Sequence, residues 1–150
     1  MNTIKNQLKE HNARKFNNIY FDFSTNEIFK KHLFGKYEKK RFSEITGFHL
    51  DQQGKTKEKH HRVTRAIVGT ALLGNVGGVA GALTGGKKYD IVTKLDVIIN
   101  FKDGSSWIEK FIQSDTKTSS FIYKGEAGIC DGLMGTLKEI DRKGLTNKNS

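Results

Sequence analysis

The chain has 150 residues, a length that suits one domain with its own core. Its one cysteine, Cys130, excludes an internal disulfide, and no cysteine pair offers a zinc site. Lys and Arg number 26 against 16 Asp and Glu, so the formal net charge of +10 favours an acidic partner without choosing among nucleic acid, anionic lipid and protein.

Residues 1–15 place Ile4 and Leu8 on a weak helical spacing and are otherwise polar. The expectation is a frayed helix or mobile tail. They hold no apolar signal core, which points to a cytoplasmic protein. Short strands follow. Ile19, Phe21 and Phe23 alternate with Tyr20 and Asp22, as on a half-buried strand. Ser24-Thr25-Asn26 reads as a turn, and Glu27 to Lys30 as its return. Phe34 to Tyr37 is a further strand candidate. The alternation continues through Arg41–Ile45 and Gly47–Leu50, and Asp51-Gln52-Gln53-Gly54 ends the block.

Residues 66–86 carry no charge, and seven of these 21 residues are glycine. Two four-residue series run through them: Gly77, Gly81, Gly85 and Gly74, Gly78, Ala82, Gly86. On a helix, positions four apart share a face, and small residues there let another backbone approach. The length would allow a membrane span of about 20 residues. However, Gly, Thr and Asn dilute its apolar drive, and Gly74-Asn75 reads as a turn. We expect a returning hairpin of two short helical arms, at 63–73 and 76–84. It would pack on the core, touch a membrane surface, or pair with a second copy.

After it, Leu95, Val97, Ile99 and Phe101 share one strand face, and Asp103-Gly104 suits a tight turn. Residues 106–113 return antiparallel. A final helix places Ile122, Ile129, Leu133, Leu137 and Ile140 on one side, with Gly125, Gly128, Gly132 and Gly135 on an adjacent edge. Gly144 is its stop, and Leu145 to Ser150 a loose tail.

In order, Phe42-Ser43-Glu44-Ile45, Gly47-Phe48-His49-Leu50, the stretch Arg65 to Lys88, the Leu95–Phe101 strand and the final helix resemble a bacterial pleckstrin-homology-like domain. The closer resemblance is to small Gram-positive bacterial or phage-encoded proteins with a glycine-rich insertion. It implies an α+β fold: a curved antiparallel sheet, a C-terminal capping helix and an inserted glycine-rich helical hairpin. The implied division is an extension at 1–15, the domain at 16–143 with a basic, glycine-rich insertion at 55–88, and a tail at 144–150. It also implies a non-enzymatic module that binds peptides, proteins or lipids, and carries over no particular ligand.

The residues themselves offer no catalytic constellation. His11, His32, His49, His60 and His61 have no metal-ligand spacing around them and read as surface residues. Cys130 would need a base and reads as a packed helix residue. The glycine series has neither phosphate-loop nor dinucleotide-loop order. No cofactor or metal is expected. Phe42, Phe48 and Trp107 read as packing residues. Lys30, Lys31, Lys36, Lys39, Lys40 and Arg41 lie along the early strands.

The interaction expectation rests on Lys55, Lys57, Lys59, Arg62 and Arg65 before the insertion and Lys87 and Lys88 after it. These would meet an anionic membrane while Gly74, Gly77, Gly78, Gly81 and Gly85 supply apolar contact or a homo-oligomer seam. The plain alternative is a solvated basic surface. Other expectations are an accessory protein of a phage or mobile element that inhibits or adapts an acidic host protein, and a nucleic-acid binder without a recognised base-reading motif.

Overall fold

In a computed structural model, residues 3–56, 62–68 and 89–146 are described, the middle stretch by its backbone alone. Helix α1 (Thr3–Glu10) leads into a four-stranded meander of β1 (Arg14–Phe16), β2 (Ile19–Asp22), β3 (Glu27–Lys31) and β4 (Tyr37–Arg41), each antiparallel to the next. Asparagines make its turns. Asn12, Asn17 and Asn26 sit at φ 52°, 56° and 57°, a left-handed conformation that a short polar side chain tolerates. The expected strand at Phe34–Tyr37 begins later. Leu33–Gly35 form a 3-10 turn, with Phe34 at φ 64° and Gly35 at φ 75°.

After a 3-10 turn at Phe42–Glu44 comes the longest early strand, β5 (Ile45–Lys55). It runs through Asp51–Gly54, where the sequence suggested an end. Gln52 and Gly54 face the core with Phe48 and Leu50, so the polar letters continue the alternation. β6 (Arg62–Val68) pairs with one edge of β5, and β7 (Ile91–Phe101) with the other. β8 (Ser106–Ile112) pairs with β7, as does the short β9 (Thr116–Lys117), which completes a second, five-stranded sheet. The β7–β8 turn is as the sequence predicts: Gly104 takes φ 89°, and the Asp103 carboxylate accepts from the Ser105 N–H at 2.8 Å.

Helix α2 (Phe121–Arg142) closes the chain. The Ser120 hydroxyl accepts from the Tyr123 N–H at 3.1 Å, and Gly144 at φ 73° ends the helix. Its buried stripe differs from the expected one in its first half. Tyr123, Ala127, Cys130, Leu133, Met134, Leu137 and Ile140 face the core, whereas Ile122 and Ile129 are 70% and 36% exposed. The 3.6-residue period runs back from Leu137 through Met134 and Cys130 to Ala127 and Tyr123. The tail also differs: Leu145 packs on the core, and the Thr146 hydroxyl donates to Asp141 at 3.0 Å. The sheets and helix share one core, in which Phe21, Phe42, Phe48, Leu50, Val97, Trp107 and Leu133 are buried.

Close approach explains Gly54. A Cβ there would lie 2.6 Å from the Ile91 carbonyl oxygen and from the Tyr89 ring. Gly54→Ala is therefore expected to lower stability by about 1–3 kcal/mol through overpacking. The corrected helix face is equally testable. Leu137→Asp should cost several kcal/mol, roughly the burial of an unpaired charge, while Ile122→Asp should stay within about 0.5 kcal/mol of native. Urea unfolding of the three variants checks this; equal losses at 122 and 137 would restore the expected stripe.

Candidate functional site

The glycine-rich segment is anchored by the two edges of β5. β6 ends with Val68 opposite His49, and β7 begins with Ile91 opposite Lys55. Both strands run antiparallel to β5 and so parallel to one another. Residues 69–90 therefore link a point beside His49 to one beside Lys55, about 20 Å apart along β5 at ~3.3 Å per residue. The expected helical arm at 63–73 is corrected over its first part. Residues 63–68 belong to β6, where Val63, Thr64, Ile67 and Val68 suit a strand. The rest of that arm, and the arm at 76–84, lie outside the described residues.

Of the basic residues expected to interact, the register sets Arg62 opposite Lys55 and Arg65 opposite Gln52. The Lys55 ammonium lies 2.8 Å from the Asp115 carboxylate, in an exposed pair. Lys57, Lys59, Lys87, Lys88 and Gly74, Gly77, Gly78, Gly81 and Gly85 lie outside the described residues. Part of the early basic run is already paired: Lys39 meets Glu27 at 3.3 Å and Lys40 meets Asp103 at 2.6 Å. That pairing holds the Asp103 carboxyl well below the usual range.

A second surface was not anticipated. Three concavities share Lys15, and two of them also share Tyr20. One of about 330 Å³ is lined by Lys5, Lys9, Lys15, Lys31, Tyr20 and Tyr37, among others. One of about 590 Å³ runs from Lys15 and Asn17 to the Leu33–Gly35 turn. The largest, about 940 Å³, lies between Phe16–Asn18 and the α2 face of Lys124, Gly125, Gly128 and Ile129. Among the helix glycines, Gly132 makes the close contact. A Cβ there would come within 2.5 Å of Phe16, so its absence seats that ring. Gly135 meets nothing and serves no packing purpose.

This surface exists because α1 is docked rather than frayed. Leu8 is buried, and Asp22 at the end of β2 is fully buried. The Gln7 amide donates to the Asp22 carboxylate at 3.0 Å, the His11 Nδ1 lies 2.7 Å from it, and the Ser24 N–H donates at 2.9 Å. In the sequence, Asp22 between Phe21 and Phe23 looks like an outward polar residue. The signal that could have found it is the pair Gln7 and His11, four apart on the helix face that carries Leu8.

Reactive chemistry finds little support. Cys130 is fully buried, and burial, with Asp131 beside it, pushes its thiol up, away from the thiolate a nucleophile needs. Among the described residues no three His, Cys, Asp or Glu are grouped to hold a metal ion. No described helix is long and apolar enough to cross a membrane.

A meander, a second sheet and a C-terminal helix over one core are the expected pleckstrin-homology-like arrangement. A model of the glycine zipper containing PH domain family matches residues 6–113. The chain belongs to this family. No curated protein and no solved structure matches it. The match runs from within α1 to just past β8 and includes the whole glycine-rich segment, so this PH domain carries the zipper within its fold. Membership supports a non-enzymatic interaction module.

The Asp22 cluster yields a pH prediction. Burial alone would raise its carboxyl, but hydrogen bonds from Gln7, His11 and Ser24 hold it below its ordinary value. A depressed folded value means that the cluster's stability is present in full above about pH 4, the unfolded carboxyl range, and is lost as pH falls through the folded value. Asp22→Ala should cost roughly 1–3 kcal/mol and expose α1 amides to hydrogen exchange. Between pH 4 and 2 the native protein should lose more stability than the variant. Parallel losses would mean the carboxylate does not hold α1.

Proposed function

We propose that this PH domain is a non-enzymatic module associating peripherally with an anionic membrane at the cytoplasmic face. Lys55, Lys57, Lys59, Arg62, Arg65, Lys87 and Lys88 orient it by charge, and the glycine-rich segment adds shallow apolar contact. The single observation that supports the reading most is the attachment of that segment. It starts and finishes on strands that flank β5, and basic residues precede and follow it. A segment held at both ends on one sheet can touch a bilayer surface without dividing the fold. The net charge of +10 supports attraction to anionic lipid. The Asp115 carboxylate that already partners Lys55 lowers the contribution of that lysine. A setting as an accessory protein encoded by a phage or mobile element is compatible with this reading.

A second reading, capture of an acidic host protein, draws on the same charge. The zipper glycines would then serve a homo-oligomer or a protein contact, and nucleic acid stays the third option.

Binding to vesicles with and without phosphatidylglycerol separates these readings. The native protein should bind the anionic vesicles and weaken with salt, since charge contributions are screened over about 8–10 Å at ordinary ionic strength. Arg62→Gln, Arg65→Gln, Lys87→Gln and Lys88→Gln together should lower binding while the fold survives. Equal binding to neutral and anionic vesicles, with no loss in the four-site variant, would refute the electrostatic reading. No binding to either vesicle would move the function to a soluble acidic partner.

A further inference from the structure

We propose that the β3–β4 turn, with the lysine-lined concavities beside it, is a second bilayer-contacting surface, one that inserts Leu33 and Phe34 into an anionic membrane. The inference rests on the reading of this PH domain as a membrane-associated module, but on different residues.

Leu33 and Phe34, two adjacent large apolar side chains, are 81% and 95% exposed. Their exposure is imposed by the backbone. Phe34 takes φ 64°, a conformation that a bulky residue avoids, and the His32 N–H donates to the Lys36 carbonyl at 2.6 Å, closing the turn beneath it. A residue tolerant of that conformation, such as the asparagines at three other turns, would be the local choice. Phenylalanine is held outward there at a cost to the folded chain.

The surroundings name the occupant. The concavity that includes Leu33 and Phe34 shares Lys15, Tyr20 and Lys31 with the one beneath α1, which adds Lys5 and Lys9. No carboxylate is among the residues lining either. Elsewhere Lys39, Lys40, Lys55, Lys94 and Lys143 each meet a carboxylate. An apolar pair on a projecting turn, bordered by uncompensated ammonium groups, has the layout of an interfacial anchor: side chains enter the acyl boundary while lysines meet phosphates. A protein partner would more naturally be met by a groove that receives its side chains. Here the apolar groups project instead.

The test uses the full chain and vesicles of phosphatidylglycerol with phosphatidylcholine, or of phosphatidylcholine alone. The L33S/F34N variant should keep or raise its unfolding midpoint, because Asn tolerates the turn, yet bind anionic vesicles at least tenfold more weakly. The single emission change of F34W should be a blue shift with anionic vesicles and none with neutral ones. K5Q/K9Q/K15Q/K31Q should flatten the salt dependence. Undiminished binding by L33S/F34N, or bound F34W without a shift, would overturn the proposal. So would a change of the native oligomer to a smaller species in L33S/F34N, which would make a second copy the occupant. Loss of binding in the four-site variant at 62, 65, 87 and 88 with L33S/F34N unaffected would sink this surface alone. Failure of the native protein to bind anionic vesicles would sink both readings.

Discussion

Strand β5 is hydrogen-bonded along both edges, and that double pairing sets the rest of the molecule. With β6 on one side and β7 on the other, the chain between them must pass from beside His49 to beside Lys55. The uncharged, glycine-rich stretch thus leaves and rejoins one sheet rather than linking two bodies. The pairing also demands room where β7 joins. Gly54 supplies it, because the Ile91 carbonyl and the Tyr89 ring come too near for any side chain. The register shifts at that same place, so the glycine and the irregularity are one feature.

The first sheet depends on a different kind of contact. A carboxylate with no exposure needs donors, and α1 brings two of them to Asp22 while burying Leu8. On the far side, the Arg14 guanidinium meets Glu139 of α2 at 2.7 Å, and together with Lys143 it holds that carboxyl down at about 2. The pair is partly exposed, so its value is geometric more than energetic. These contacts fix where β1 and α1 lie, and thereby which lysines face a common space.

Strand alternation and turn chemistry were legible in the residues. Leu95, Val97, Ile99 and Phe101 face the core as their period says, and Asp103-Gly104 turns as its dipeptide says. Helix α2 was legible in type and extent but not in phase at its start, because Ile122 and Tyr123 compete for one direction and hydropathy alone favours the wrong one. The end of β5 was misread because Asp51-Gln52-Gln53-Gly54 has turn composition, yet pairing on both edges keeps it extended. Local propensity gave way there to tertiary hydrogen bonding. The candidate surface around Lys15 was hidden for the same reason. Lys5, Lys9, Lys15 and Lys31 are scattered in sequence and meet only because Asp22 docks the helix between them.

Charge distribution, rather than total charge, separates the two candidate surfaces physically. A net +10 spread evenly would be screened within about a Debye length and would select nothing. The fold does not spread it evenly. Pairing with Glu27, Asp103, Asp115 and Asp51 quiets four lysines on the sheets, and Glu139 quiets Lys143 at the end of α2. Lysines beneath α1 and beside the β3–β4 turn line concavities without carboxylates, next to the exposed pair Leu33 and Phe34. Coulomb attraction orients a domain only where opposite charge is missing locally, and apolar contact retains it only where side chains are held outward. Both conditions meet at the strained turn, which ties the backbone conformation of Phe34 to recognition rather than to folding.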